Sequence, residues 1–376
     1  MNPPQSLSRR AFLHSLAVGG ASTLAFGATP LPKLPTVDEE THRAAQAAPL
    51  RLIFGGKTPA ELALWQKEFS AELRQRLGRH QPPQQWSAKS LARVEFPDHA
   101  REEWLLSADG FPSLPLHVLK PAGTRHGGGP FPIVLALHGH GAFGHDSIAG
   151  IDDSPERAQD IRNQNNDYGR QLAREGYLVV APCFTPFGRR LDEGYRNSRT
   201  DPCNSTFVRL MLLGQTLMGA NLRDAKWALS YAQARDDVRR DRIGCVGLSY
   251  GGRMTMLTAA LDERIQVAVI SGALNVMQER IEGRNGCGAQ VIPGLLEIGD
   301  TPEIGSLIAP RPCIWEVGSK DTLIKPDWAD VAKARLRRAY LAAEKPDQLE
   351  FHHFEGPHRW DGATAVPLLA RVLKRD

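Results

Sequence analysis

The 376-residue sequence predicts an α/β fold, a mostly parallel eight-stranded sheet with helices on both faces. Three observations carry this expectation. From Phe131 onward, short wholly apolar segments alternate with longer helical patterns, as in a sheet buried on both sides. One such segment, Arg242-Ile243-Gly244-Cys245-Val246, stops at Gly247-Leu248-Ser249-Tyr250-Gly251-Gly252, and the helix formers Met254, Met256, Leu257, Ala259, Ala260 and Leu261 follow at once. That reads as strand, sharp turn, helix. Lastly, the connections Cys183–Ala220 and Gly272–Pro310 are longer than a plain crossover needs, and long loops at the carboxyl ends of such strands usually shape a binding site.

Taken in order, residues 1–28 have their own character. Ser8-Arg9-Arg10-Ala11-Phe12-Leu13 precedes a weakly apolar run, Ala17 to Ala28, padded with Gly, Ser and Thr. The pattern resembles a twin-arginine export signal, with His14 where a lysine is often found. It implies the twin-arginine export machinery as a partner and a periplasmic or secreted protein. The uninterrupted apolar part is shorter than the roughly 20 residues of a spanning helix. Cleavage could fall near Gly27-Ala28 or as late as Ala45-Gln46-Ala47. Residues 29–49 read as a Pro-rich, polar tether.

Residues 50–376 are expected to form one catalytic domain opened by a helical brace, with Leu62, Leu64, Trp65, Phe69, Leu73 and Leu77 at roughly helical spacing and Pro82-Pro83 as its end. Short strands follow at Val94–Phe96, Glu102–Ser107 and Leu114–Leu119, with Asp109-Gly110 as a turn signal. The buried strands are expected at Phe131–Leu137, Tyr177–Ala181, the segment before Ser249, Val267–Ser271, Pro312–Val317 and Leu349–Phe354. Helices are expected at Asp167–Arg174, Asn221–Ala234 and Ala363–Leu373.

Composition bounds the function. At 41% hydrophobic the chain can bury a large core, and its net charge of +4, two units of which are Arg9 and Arg10, does not imply nucleic acid as a partner. The five cysteines show no Cys-x-x-Cys pair and no metal-ligand spacing. Cys245 and Cys313 read as core residues, while Cys203 and Cys287 lie in polar, loop-like contexts where a disulfide is conceivable in an exported protein.

The chemistry centres on Ser249. In a Gly-x-Ser-x-Gly elbow the serine occupies a strained turn, Gly247 and Gly251 keep bulk away, and the N–H of Tyr250 at the helix start faces a developing oxyanion. A serine hydroxyl needs a base, and the base needs an acid. On sheets of this kind they follow in the order Ser, acid, His. The strand Pro312–Val317 leads into Gly318-Ser319-Lys320-Asp321, which puts Asp321 in the turn beyond it, whereas Glu316, Asp327 and Asp330 fall in the strand or the next helix. His358 lies in the loop after the last strand, while His352 and His353 sit within that strand on opposite faces. The second oxyanion donor is expected from the loop His138-Gly139-His140-Gly141, through the N–H of His140. No carboxylate or cysteine is spaced along the chain to complete a metal site with His138 and His140.

From about Arg51 to the C-terminus the chain resembles the acetylxylan-esterase-like α/β-hydrolases, which are related to dienelactone hydrolases. The blocks that carry the resemblance include Leu137-His138-Gly139-His140-Gly141, Asp167-Tyr168-Gly169, Gly176-Tyr177-Leu178-Val179-Val180-Ala181-Pro182, the elbow, Asn285-Gly286-Cys287-Gly288 and Ile308-Ala309-Pro310-Arg311-Pro312. Cys183 stands where relatives often carry an aspartate after Ala-Pro. The resemblance implies an α/β-hydrolase fold and a serine esterase for short acyl esters, acetyl groups on carbohydrate among them, needing no metal or organic cofactor. Two other readings share the scaffold. A peptidase of the prolyl-oligopeptidase type usually carries a propeller of about four to eight blades, which the region before Phe131 is too short to build. A noncatalytic binding protein would have no use for the complete Ser, Asp and His set.

Overall fold

The computed structural model describes residues 34–374 except 197, 284 and 285, so the export-signal reading of residues 1–28 lies outside the described residues. Its centre is one mixed sheet of nine strands, so all nine strand segments marked in the sequence join a sheet expected to hold eight. They are β1 (Ser87–Glu95), β2 (His99–Ser107), β3 (Leu114–Pro121), β4 (Phe131–Leu137), β5 (Leu178–Pro182), β6 (Val238–Leu248), β7 (Val267–Ser271), β8 (Cys313–Gly318) and β9 (Leu349–Phe354). Their spatial order is β1-β2-β3-β5-β4-β6-β7-β8-β9. Strands β1, β2, β3 and β5 pair antiparallel, and all pairs from β5 through β9 are parallel.

The extra length is at the edge. The sequence suggests only Val94–Phe96, yet β1 runs for nine residues, all exposed and without apolar alternation, so pairing with β2 and not burial holds it in the sheet. Lys89, Arg93 and Glu95 on this outer strand, and a bulge between Ser90 and Ala92, discourage further pairing.

Period-two alternation divides the core between two layers. Ile133, Leu135 and Leu137 of β4 face a large cluster under the helices Pro59–Leu77, Leu217–Gln233 and Tyr250–Leu261. Val134 and Ala136 face a smaller one under Tyr168–Arg174 and Ala365–Leu373. The brace helix Pro59–Leu77 starts in a capping box, Thr58 with Glu61, and has Pro59 in its first turn. It buries Leu62, Trp65, Phe69, Leu73 and Leu77, but Leu64 is off that stripe and 71% exposed. Within the stretch read as a tether, Val37–Gln46 form a capped helix.

Chain order reverses at β4, with β5 on one side and β6 on the other. In open α/β sheets a ligand crevice lies at the carboxyl ends of strands beside such a reversal, and the elbow stands at the end of β6. The long connections hold short helices, among them Pro202–Met211 in the first and Met277–Glu282, Leu295–Ile298 and Thr301–Ser306 in the second.

Candidate active site

Ser249 takes φ 62° and ψ −121°, a left-handed conformation that a non-glycine residue adopts only when its surroundings enforce it. Its N–H donates to the Ser271 carbonyl at 2.9 Å, which pins the elbow to the end of β7, and its own carbonyl accepts from Arg253 N–H at 3.0 Å. The flanking glycines are steric requirements. A Cβ on Gly251 would fall 1.9 Å from the Leu137 carbonyl oxygen, and one on Gly247 would meet Gly251 at 2.4 Å. The helix therefore starts hard against β4 and β6, with Ser249 half-buried at its head.

Asp321 and His358 come together as the sequence suggests. The Nδ1 of His358 lies 2.7 Å from Asp321 Oδ2, and Oδ1 of the same carboxylate accepts Leu323 N–H at 2.9 Å. The Asp321 side chain is 1% exposed and that of His358 is 18% exposed. With Nδ1–H given to Asp321, Nε2 is the basic nitrogen, and it is buried without a hydrogen-bond partner among the described residues. Gly272 connects His358 to the elbow. It follows Ser271, which holds Ser249 N–H, and a Cβ on it would lie only 2.6 Å from Cε1 of His358. The two loops that carry Asp321 and His358 are fused, since Ser319 N–H donates to the Phe354 carbonyl and Lys320 N–H to the Gly356 carbonyl, each at 2.8 Å.

The rival groups are elsewhere. Asp327 and Asp330 are exposed, and Asp330 binds Lys333 at 3.0 Å. Glu316 is wholly buried in β8, and burial, reinforced by the nearby Asp361 charge, pushes its carboxyl up to about 7. His352 pairs with Asp361 at 3.0 Å while His353 is exposed on the opposite face.

The loop after β4 lies against Ser249, a Cβ on Gly139 being 2.9 Å from the Leu248 carbonyl oxygen and 3.3 Å from Ser249 Cβ. His138 is structural. Its Nδ1 lies 2.8 Å from the Gly139 carbonyl and its Nε2 accepts Phe184 N–H at 2.9 Å, while burial lowers its basicity to about 4 and keeps the ring neutral. His140 packs its ring 5.1 Å from Tyr250 and 5.2 Å from Phe187, with Nε2 3.2 Å from Cys287 Sγ. Cys203 and Cys287 are free thiols, not a disulfide.

Several positioning residues have no signal of that role in hydrophobic periodicity or ligand spacing. The buried Tyr168 hydroxyl donates to the Leu137 carbonyl at 2.5 Å and accepts Leu248 N–H at 3.4 Å, tying β4 to the elbow. Asn221, fully buried, donates to the Tyr250 hydroxyl at 2.7 Å and exchanges hydrogen bonds with the Thr185 backbone. The Arg253 guanidinium is buried on Asn275 and Thr301, and Asn275 in turn donates to the Leu323 carbonyl beside Asp321. Only Tyr168 belonged to a block recognised in the sequence. A 680 Å³ apolar cavity beside the helix Val37–Gln46 is lined by Ala44, Ile281, Val291 and Leu295 and reaches Cys287, but Ser249 is not among its walls.

A model of the Abhydrolase family matches residues 47–365. YtaP of Bacillus subtilis (strain 168), provisionally named a hydrolase, is 32% identical over 266 residues, covering 69% of this chain and 83% of that protein. A crystal structure from Bacteroides fragilis NCTC 9343, provisionally named an acetyl xylan esterase, aligns with TM-score 0.74 and 21% identity over 92% of this chain and 97% of that one. A glucuronoyl esterase from Solibacter usitatus aligns with TM-score 0.61 and 15% identity over 84% and 93% of the respective chains. At these identities the solved structures speak to the fold.

Proposed function

Since the chain belongs to the Abhydrolase family, we propose that it is a serine carboxylesterase in which Ser249, His358 and Asp321 form the catalytic triad. Ser249 Oγ attacks the ester carbonyl while Nε2 of His358 takes its proton. Nε2 then returns that proton to the departing alkoxide, leaving an acyl-serine. Water, deprotonated by the same nitrogen, attacks the acyl-serine, and the proton passes back to Ser249 as the acid leaves. Asp321 holds the imidazole in the Nδ1–H form and stabilises its charge. The backbone N–H groups of Tyr250 and His140 hold the oxyanion, each worth about 100- to 1000-fold in rate.

The observation that carries this reading is the 2.7 Å contact between His358 and Asp321, with Nε2 of His358 left without a partner among the described residues beside the elbow. The substrates proposed are short acyl esters, acetyl groups on carbohydrate foremost, and esterases named for carbohydrate substrates among the fold relatives motivate that choice. Export through a twin-arginine signal is part of the proposal and rests on Ser8-Arg9-Arg10-Ala11-Phe12-Leu13. The test is a panel of p-nitrophenyl esters of rising chain length, acetylated xylan and a prolyl peptide, together with a serine-directed phosphonate. Hydrolysis confined to short esters and labelling at Ser249, both absent from a folded Ser249→Ala variant, are expected. Labelling of a different serine, or turnover by that variant, would remove Ser249 from the mechanism.

A further inference from the structure

Two cysteines and a histidine that are remote in the chain meet at one point beside the elbow. Cys203 lies in the first turn of the helix Pro202–Met211, in the long connection after β5, and is 5% exposed. Cys287 comes from the long connection after β7, and His140 from the loop after β4. The two Sγ atoms and a ring nitrogen of His140 all lie within 4.8 Å of one another, with His140 Nε2 3.2 Å from Cys287 Sγ. Three donors on a tetrahedral zinc ion, at bond lengths near 2.0–2.3 Å, stand about 3.5–3.8 Å apart, so small side-chain adjustments would close this set on a metal.

The surroundings fix the donors in place. Asn204 Oδ1 accepts Gly288 N–H at 2.7 Å, and Asp201 caps the helix through Cys203 N–H at 2.8 Å, so the Cys203 turn and the Cys287 strand of backbone are bound to each other. A Cβ on Gly288 would lie 2.4 Å from Phe207, which shows how closely the two connections pack. The His140 ring is held between Phe187 and Tyr250 with Nε2 turned to the thiols. We propose that Cys203, Cys287 and His140 form a binding site for a thiophilic divalent cation of the zinc type, which clasps the oxyanion loop to the two long connections.

The charge balance favours such an ion. Two thiolates and a neutral imidazole bring a divalent cation to no net charge, which suits a site where Cys203 is buried and His140 and Cys287 are half-buried. The fourth position is left for water. Binding releases the two thiol protons to solvent and changes no oxidation state. A second cluster, His117, His145 and Asp146, is less suited, because its carboxylate already holds the Arg157 guanidinium at 3.0 Å and an entering cation would face that charge.

The experiment uses the full-length protein, reduced with a phosphine, freed of reductant under inert gas, and titrated with zinc and then with cobalt(II). One equivalent is expected to bind, with sulfur-to-cobalt charge-transfer absorption and a rise in melting temperature that grows with metal concentration. Cys203→Ser and Cys287→Ser should each weaken zinc binding at least about 100-fold, since even the loss of an outer-shell partner costs about 10- to 100-fold. The double variant should lose the cobalt–sulfur band. Equal zinc binding by the wild type and a folded double variant would overturn the proposal. So would a Cys203–Cys287 disulfide that re-forms under these conditions in the presence of zinc.

Discussion

Replacing Gly272 by alanine tests the placement of the base without touching any reacting group. Gly272 has φ +60°, where an alanine costs about 1–2 kcal/mol of backbone energy. Its new methyl would stand 2.6 Å from Cε1 and 3.0 Å from Nδ1 of His358. Carbon atoms rest at about 3.5–4.0 Å, so the ring must retreat by about 1 Å. A misplacement of that size costs about 100-fold in rate, or about 2.7 kcal/mol of transition-state stabilisation. The assay is kcat/KM on p-nitrophenyl acetate, with circular dichroism and a melting curve to show that the fold survives. Gly55→Ala is the control, because its Cβ would meet nothing within 4 Å. An unchanged kcat/KM in a folded Gly272→Ala protein would refute the inference that His358 must sit against Gly272 to serve Ser249.

Asp321→Asn should lower kcat/KM by about 10⁴-fold with little loss of stability, because an amide can favour the wrong imidazole tautomer. Asp321 accepts from both His358 and Leu323, and an amide has one oxygen for the two donors, so activity close to wild type would send the search for the acid elsewhere. Glu316→Gln addresses pH. Since burial raises this carboxyl from 4.5 to about 7, the native state holds a proton that the unfolded chain has released. Stability is therefore fullest below about 4.5 and declines as pH climbs through about 7, a linkage of order 3 kcal/mol that the glutamine should abolish in denaturant titrations run across that range. An identical pH profile in the two proteins would mean that Glu316 ionises without penalty. Replacing Arg9 and Arg10 by lysine should leave active enzyme in the cytoplasm, followed by fractionation, and normal export would point to a different signal.

The triad candidates could be read in the chain because each rests on local chemistry. The elbow is one contiguous motif, and Asp321 and His358 each stand in the first turn beyond an apolar strand. Parallel strands buried on both sides are continuous apolar runs, so β4, β5, β7 and β8 were legible within a residue or two, whereas β6 starts four residues before Arg242, in the charged stretch Val238–Asp241. By contrast β1 has no buried face and leaves no periodic trace beyond its last residues. Leu64 fits the helical spacing nearly as well as Leu62 or Trp65, and only the direction of the packed neighbours decides which stripe turns inward. The meeting of His140 with Cys203 and Cys287 was invisible for a different reason. Spacing rules look for ligands close in sequence, and these partners lie on separate connections that the sheet order alone brings together.

Trp360 follows His358 by two positions, is 1% exposed, and rests 4.9 Å from the ring of Tyr168. Its N–H donates to the Gln164 carbonyl at 2.9 Å and its own carbonyl accepts from Asn165 at 3.1 Å, both in the connection between β4 and β5. The histidine loop thus leaves the edge strand β9 and is moored across the top of the sheet to the chain's first parallel crossover. A polypeptide that has assembled everything up to β8 still lacks a placed base, and one that has made β9 without the Gln164–Asn165 turn has nowhere to seat it. In the proposed mechanism the base is therefore seated only once the first parallel crossover and the loop after the last strand, 195 residues apart at Asn165 and Trp360, have met.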